Sequence, residues 1–187
     1  MNTLKSFDMN DQSVINHSVL IIGSRLSGKT TLVNDYLKHH SFTSIINTRD
    51  QHVIHQAVEK QRQERDLKNN IAIVVEDFDK SIMLTRDSDI RDIIFNGRFF
   101  NITLILTTQH VTNIPPELRA NISQVFLLGN NSSEDKKQLY EKVGGMFELL
   151  TDFTEVYNHY TDDFGCLVFA MSAGNKIEDS VFNYKVW

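Results

Sequence analysis

Apolar runs of strand length alternate along this chain with segments in which apolar residues recur at helical spacing. The runs at residues 19–22, 71–75, 102–106 and 124–128 show little polar alternation, which is typical of strands covered on both faces of a sheet. A shorter strand is predicted at residues 44–47. Two more are predicted at residues 165–170 and 180–186, joined by turn-forming residues at 172–175.

Helices are predicted between these strands. Pro115 and Pro116 suit the first turn of a short helix, and residues 132–135 have the polar and acidic character of a helix start before residues 136–143. The longer helices are predicted at residues 30–40, 51–68, 86–100 and 147–157.

Strands that alternate with helices predict a three-layer α/β sandwich with a mostly parallel central sheet and a C-terminal β-hairpin. The length of 187 residues fits a single domain over residues 1–187. In this domain, residues 1–17 form an N-terminal extension that lies on the surface or adds a short edge element, and residues 158–187 contain the C-terminal strands.

Composition and charge narrow the class of protein. Hydrophobic residues make up 41% of the chain, with 12 Phe and 2 Pro, which is typical of a globular protein and not of a disordered one. The net charge of −5 argues against a protein whose whole surface binds nucleic acid. A local basic stretch lies in the helix predicted at residues 51–68, but acidic residues are interleaved with it, which favours a solvated helix face. Its basic residues are Lys60, Arg62, Arg65 and Lys68.

The single cysteine, Cys166, has no partner for an intramolecular disulfide and no zinc-ligand spacing around it. The N-terminus lacks the basic start and apolar run of a signal peptide, and no apolar segment approaches the ~20 residues needed to span a bilayer. We therefore expect a soluble protein of a reducing, intracellular compartment.

A complete phosphate-binding loop follows the first strand. The segment Gly23-Ser24-Arg25-Leu26-Ser27-Gly28-Lys29-Thr30 matches GxxxxGK[ST], the P-loop or Walker A motif, and a helix is predicted directly after it. Backbone N–H groups at such a helix start bind phosphate oxygens, and glycines allow the tight path of the chain. We expect Lys29 to bridge the β- and γ-phosphates of a nucleoside triphosphate, Thr30 to bind Mg²⁺, and Thr31 to complete the nucleotide site.

Two carboxylates, Glu76 and Asp77, end the strand predicted at residues 71–75. Because parallel strands present their carboxyl ends at the ligand-binding edge of the sheet, both acids are expected beside the phosphates as a Walker B motif. We assign Glu76 to Mg²⁺ and Asp77 to activation of the attacking water, with Asp79 as an alternative for either role.

The segment GRFFNITLILTTQ, residues 97–109, resembles the FtsK/HerA superfamily of DNA-pumping ATPases. The following IPPELRAN, residues 114–121, is similar to the poxvirus-type genome-packaging ATPases of large DNA viruses, a branch of that superfamily. The resemblance implies a RecA-like P-loop sandwich in which Gln109 senses the γ-phosphate or the attacking water. It also implies that Arg98 is an arginine finger that reaches the neighbouring subunit's site, with Arg119 as the alternative.

The same resemblance implies a function. It suggests a Mg²⁺-dependent ATPase that forms a homo-oligomeric ring, a pentamer or hexamer, and translocates double-stranded viral DNA into the capsid. Capsid or inner-membrane viral proteins would be its partners, and the host cytoplasm, at the viral factory, or the virion its location.

Three other functions remain open on the sequence. A regulatory GTPase is suggested by Asn175-Lys176-Ile177-Glu178, a near match to the guanine-selecting NKxD. A small-molecule kinase would share the loop, but no arginine-rich lid or acceptor pocket can be located. A nucleotide-gated scaffold that hardly hydrolyses ATP is disfavoured by the presence of Lys29, Glu76, Asp77 and Gln109 together.

Overall fold

A seven-stranded sheet forms the centre of the protein in a computed structural model, which describes residues 3–10, 16–64, 69–79, 88–129, 132–171 and 176–186. Its strands are β1 (Ser18–Ile22), β2 (Ser44–Asn47), β3 (Ile71–Val75), β4 (Ile102–Thr108), β5 (Gln124–Leu128), β6 (Gly165–Ala170) and β7 (Val181–Lys185).

The strand order is β2-β3-β4-β1-β5-β6-β7. The first five strands are parallel, with Ile22 beside Thr108 at the carboxyl ends of β1 and β4, whereas β6 and β7 are antiparallel. Every residue of β1, β3, β4 and β5 is buried, as expected for apolar runs without polar alternation. The predicted α/β sandwich with a mostly parallel sheet is therefore confirmed.

Seven helices lie in the described ranges. They are α1 (Lys29–His39), α2 (Gln51–Gln63), α3 (Asp89–Asn96), α4 (Pro116–Arg119), α5 (Ser133–Lys142), α6 (Leu150–Tyr160) and α7 (Ile177–Ser180), with 3-10 helices at Gly97–Phe100 and Val111–Asn113. Short polar side chains begin several of them. Asp50 and Ser88 accept from backbone N–H groups of the first turns of α2 and α3, and Ser132 forms a reciprocal capping box with Asp135 at α5.

The sheet separates two apolar cores because successive residues of a strand point to opposite faces. Ile73 and Leu104 belong to the core shared with α2, α3, α5 and α6. The neighbouring Val74 and Ile105 belong to the other core, with α1 and Phe7 of the N-terminal segment. Each face of the central strands is therefore covered by helices or by the N-terminal segment.

Several boundaries differ from the prediction. Helix α2 was predicted to continue to residue 68, but it ends at Gln63 because Glu64 adopts an extended backbone; residues 65–68 lie outside the described ranges. Helix α6 begins at Leu150 and not at residue 147, since Phe147 packs against the Phe153 ring from the preceding loop. The helix predicted over 86–100 is α3 followed by a 3-10 helix.

The two ends of the described chain meet at the β7 edge of the sheet. Ser6 forms a parallel bridge with Asn183, so the N-terminal segment does add a short edge element, as one of the two predicted alternatives. The predicted turn at residues 172–175 lies outside the described residues, and α7 precedes β7. None of the helices in the ranges above combines the length and the apolar character that a bilayer-spanning helix requires.

Candidate functional site

The loop between β1 and α1 needs both of its glycines. A Cβ on Gly23 would lie 2.4 Å from Ser27 Oγ and 2.8 Å from Leu128 Cβ, so no side chain fits there. Gly28 caps the N-terminus of α1 with φ 97°, a left-handed backbone that side chains disfavour. Gly23 is thus required by close packing against Ser27 and β5, and Gly28 by the backbone conformation at the start of α1.

Lys29, the first residue of α1, is buried within this loop. Its ammonium donates to the carbonyl oxygens of Gly23 at 2.9 Å and Ser24 at 2.7 Å. Burial lowers the pKa of Lys29, while the nearby charges of Asp77 and Glu76 oppose this shift. Two hydrogen bonds therefore hold the end of the Lys29 side chain at the loop.

Glu76 follows β3 and is held by two neutral side chains. The Thr30 hydroxyl donates to Glu76 Oε2 at 2.9 Å, and the Asn47 amide donates to Glu76 Oε1, also at 2.9 Å. Asn47 ends β2, which pairs in parallel with β3, and this pairing brings its side chain to the same sheet edge. The amide was not predicted from the sequence, because only the strand order places it next to Glu76.

Asp77 adopts a left-handed backbone, with φ 48°, and its N–H donates to the buried Thr107 Oγ1 at 2.9 Å. Its carboxylate accepts from Arg49 Nη2 at 3.1 Å. Arg49, two residues after β2, is a second contact that the sequence did not reveal. Asp79, the alternative acid, is exposed and is not among the residues that line the cavity described next.

A cavity of about 560 Å³ joins the loop to the carboxylates. Gln109, directly after β4, also lines it, so the structure brings this predicted residue to the same site. The lining residues are Arg25, Leu26, Gly28, Lys29, Thr30, Thr31, Glu76, Asp77, Gln109 and Phe164. Phe164, from the turn before β6, is the lining residue that no sequence pattern indicated.

Arg98 and Arg119 lie away from this cavity. Arg98 precedes the amino end of β4, and Arg119 precedes the amino end of β5. The loop follows the carboxyl end of β1, which is parallel to both strands. The two arginines therefore lie at the opposite end of the strands from the loop. The exposed Arg98 guanidinium stacks 4.9 Å from the centre of the Phe99 ring. Arg119 is half-buried and donates to Ile114 O at 2.9 Å, and burial lowers its pKa. Neither arginine can therefore serve the nucleotide cavity of its own chain.

The basic stretch of α2 is partly neutralised. Arg62 donates to Glu59 at 2.6 Å and also pairs with Asp92 of α3. Its guanidinium lies 5.3 Å from the centre of the Phe100 ring. Arg65 and Lys68 lie outside the described residues.

The oxygen donors beside the loop suit Mg²⁺. Within the described ranges, no three His, Cys, Asp or Glu side chains gather as a metal site. Mg²⁺, however, commonly takes one or two protein oxygens and completes its shell with water and substrate phosphates. The Thr30 hydroxyl and Glu76 carboxylate, already in contact at 2.9 Å, form such a pair.

Solved structures with the same fold include nucleotide-bound proteins. The genome packaging NTPase B204 from Sulfolobus turreted icosahedral virus 2, in complex with AMPPCP, has a TM-score of 0.68 at 12% identity, covering 90% of this chain and 97% of that chain. EssC (ATPases 2 and 3) from Geobacillus thermodenitrificans has a TM-score of 0.60 at 13% identity, covering 91% of this chain and 40% of its own.

The cytoplasmic domain of the type VII secretion ATPase EccC from Thermomonospora curvata also has a TM-score of 0.60 at 13% identity, covering 96% of this chain and 26% of its own. The chain therefore shares the fold of a viral genome-packaging NTPase, of EssC ATPase domains and of a type VII secretion ATPase. This confirms the predicted fold, that of a P-loop ATPase.

Sequence relatives come from large viruses. An uncharacterized protein of Acanthamoeba polyphaga mimivirus is 26% identical over 218 residues, covering 97% of this chain and 76% of the relative. An uncharacterized protein of Frog virus 3 is 24% identical over 156 residues, covering 82% of this chain and 47% of the relative. The match thus spans about half the length of the Frog virus 3 protein. No protein-family model matches the chain.

Proposed function

We propose that this protein is a Mg²⁺-dependent ATPase that translocates double-stranded viral DNA into a capsid. The observation that carries the proposal is the contact between Thr30 of the loop and Glu76 at the end of β3, with Lys29, Asp77 and Gln109 lining the same cavity. The fold shared with a viral genome-packaging NTPase and the viral origin of the sequence relatives support the packaging role.

The loop binds the triphosphate through fixed donors. Backbone N–H groups at the start of α1 point toward the anion, and the helix dipole favours negative charge there. Lys29 donates to loop carbonyls, so the β- and γ-phosphate oxygens compete with Gly23 and Ser24 for its three N–H groups. Because the ammonium is already held at the loop, little side-chain freedom is lost on binding.

Thr30 and Glu76 would hold Mg²⁺, which when bound would supply positive charge beside the phosphates. Asp77 accepts the proton of the attacking water, and Arg49 keeps its carboxylate oriented. Asp79 remains the alternative base. Gln109 hydrogen-bonds the γ-phosphate or the water from the end of β4. These roles use four chain segments that meet at one sheet edge.

Arg98 acts on the neighbouring subunit. Its position at the far edge of the sheet separates it from its own cavity, and a guanidinium offers paired donors to charge that develops on a transferring phosphoryl group. The working form is accordingly a ring of five or six copies, in the host cytoplasm or the virion, that contacts DNA and capsid or inner-membrane viral proteins. Arg119, tied to Ile114 O, is the weaker candidate for this role.

The GTPase alternative gains no support from the described residues. Ile177 and Glu178 of the near-NKxD segment line a different cavity, together with Leu4 and Tyr160, and not the one at the loop. Asn175 lies outside the described ranges.

The test measures ATP and GTP turnover with Mg²⁺, with and without double-stranded DNA. We expect DNA-stimulated ATP hydrolysis that Lys29→Ala and Glu76→Gln each reduce by ~100-fold or more, as for loss of a principal transition-state contact. Arg98→Ala should bind ATP normally but not hydrolyse it. Mixing the Arg98→Ala and Lys29→Ala proteins should restore part of the turnover. In a mixed ring, an Arg98→Ala subunit supplies an intact loop and its Lys29→Ala neighbour supplies an intact Arg98. Folded protein that binds neither nucleotide would refute the proposal.

A further inference from the structure

Phe164 places an aromatic ring at the rim of the nucleotide cavity. The residue is 51% exposed, although large apolar side chains are usually buried. A Cβ placed on Gly28 would lie 3.4 Å from Phe164 Cδ1, so the ring edge lies directly beside the N-cap of α1. The ring therefore stands next to the backbone that receives the phosphates.

The fold brings Phe164 to this point by strand pairing. β6 runs antiparallel to β5, with Cys166 opposite Leu128. The start of β6 thus lies at the same sheet edge as the carboxyl end of β1 and the loop that follows it. Phe164, two residues before Cys166, therefore approaches the loop from the β5 side of β1. Glu76 and Asp77 follow β3, which lies on the other side of β1.

The backbone that carries the ring is strained. Phe164 has φ 60° and Asp163 has φ 48°, two consecutive residues in the left-handed region, which a bulky residue such as Phe rarely adopts. Such outliers persist only where the surroundings determine them, and they concentrate at ligand sites.

The surroundings of this turn do determine its path. A Cβ on Gly165 would lie 2.3 Å from Tyr160 O, and the Gly165 N–H donates to Asp162 O at 2.9 Å. Lys185 Nζ of β7 pairs with Asp163 at 2.5 Å. The backbone is therefore constrained on both sides of Phe164, by close packing at Gly165 and by an exposed ion pair at Asp163.

We infer that Phe164 is the platform on which the nucleobase of the bound nucleoside triphosphate stacks, an inference that rests on the proposed function. With the phosphates at Gly28 and Lys29, the ribose and base project out of the loop, and Phe164 is the aromatic residue of the cavity lining. Every base presents a π-face, so stacking adds affinity for any base and does not by itself select one. Leu26, 88% exposed in the same lining, supplies a second apolar contact.

Calorimetry with two ligands tests the platform on the full chain. ATP carries a base, whereas inorganic tripolyphosphate carries only the phosphates, and both are titrated with Mg²⁺ present. The central variant is Phe164→Asn, because Asn tolerates the left-handed backbone and removes the ring without adding strain. Phe164→Tyr keeps a stacking face. Phe95→Asn removes another exposed ring, on α3, and is the matched control.

Phe164→Asn should weaken ATP binding about tenfold, as expected for loss of one base–aromatic stack, and leave tripolyphosphate affinity within about twofold of wild type. Phe164→Tyr and Phe95→Asn should bind both ligands like the wild type. Equal weakening of both ligands would mean that Phe164 only shapes the loop, and unchanged ATP binding would mean that no base stacks there. Either result overturns the inference about Phe164, while binding of tripolyphosphate by the wild type would still support phosphate binding at the loop. If the wild type binds neither ligand, the proposed function is overturned as well.

Discussion

Asn47 offers the sharpest test of how the metal site is built, because its amide contacts Glu76 and is not itself a proposed ligand. Replacing Asn47 by Ala removes one of the two hydrogen bonds that orient the Glu76 carboxylate and leaves the one from Thr30. The carboxylate then has more freedom to rotate away from the position where it meets Mg²⁺.

The size of the effect follows from the contact. A hydrogen bond to a charged group contributes about 1.5–3 kcal/mol when it is well shielded from water. Asn47 is exposed and Glu76 only half-buried, so the lower end of this range applies, about 1.5 kcal/mol or roughly tenfold in affinity. This agrees with the ~10–100-fold loss of metal affinity typical when a ligand loses its supporting hydrogen bond.

The assay is a Mg²⁺ titration of ATP hydrolysis at saturating ATP. For Asn47→Ala, the Mg²⁺ concentration at half-maximal rate should rise about tenfold, while the rate at saturating Mg²⁺ stays within about twofold of wild type. Asn121→Ala is the control, since its amide donates to Glu117 O at 2.8 Å on the opposite sheet edge. An unchanged Mg²⁺ midpoint, or an equal loss of rate at all Mg²⁺ concentrations, would refute the orienting role.

Other substitutions test the packing around the site by urea denaturation. Gly129→Ala should destabilise the protein by ~1–3 kcal/mol, because its Cβ would lie 2.5 Å from a backbone carbonyl oxygen, whereas Gly145→Ala, with nothing within 4 Å, should be close to neutral. Tyr36→Phe should stabilise by about 1 kcal/mol, because the buried Tyr36 hydroxyl has no hydrogen-bond partner within the described structure; a loss of stability would reveal one. Asp135→Asn should cost ~0.5–1 kcal/mol at pH 7 by breaking the capping box. Hydrogen bonds from Ser132 lower the pKa of Asp135, so this advantage is present above the unfolded pKa near 3.8 and is lost as the pH falls through the lower folded value. A stability difference between wild type and Asp135→Asn that does not shrink as the pH falls below 3.8 would contradict this reasoning.

The sequence was most informative where one local pattern decides the structure. The strands at residues 44–47, 71–75, 124–128 and 165–170 have the predicted bounds. In β3 and β5 the apolar run ends at a polar or glycine residue, Glu76 or Gly129, which marks the boundary in the sequence. The loop was predictable because its motif is a contiguous eight-residue pattern between a strand and a helix. Helix ends were less predictable: α6 has no side chain that caps its start, so the sequence carried no signal to place that start at Leu150.

The contacts that the sequence did not reveal depend on pairing between distant strands. Asn47 and Arg49 are ordinary polar residues after a short strand, and only the adjacency of β2 and β3 brings them to Glu76 and Asp77. Phe164 reaches the loop because β6 pairs with β5 in antiparallel fashion. No spacing along the chain encodes these neighbours, so a site composed from several strand ends was predicted only in part.

The central position of β4 has a mechanical consequence. Its seven buried residues, bonded to β3 on one side and β1 on the other, form a stiff rod of about 23 Å between the 3-10 helix that carries Arg98 and the residue that follows the strand, Gln109. Because β4 is hydrogen-bonded to a strand on each side, it cannot lengthen or bend independently of the sheet. In the ring that we propose, β4 therefore joins the residue that would contact an adjoining copy, Arg98, to the residue that would contact the γ-phosphate in its own chain, Gln109.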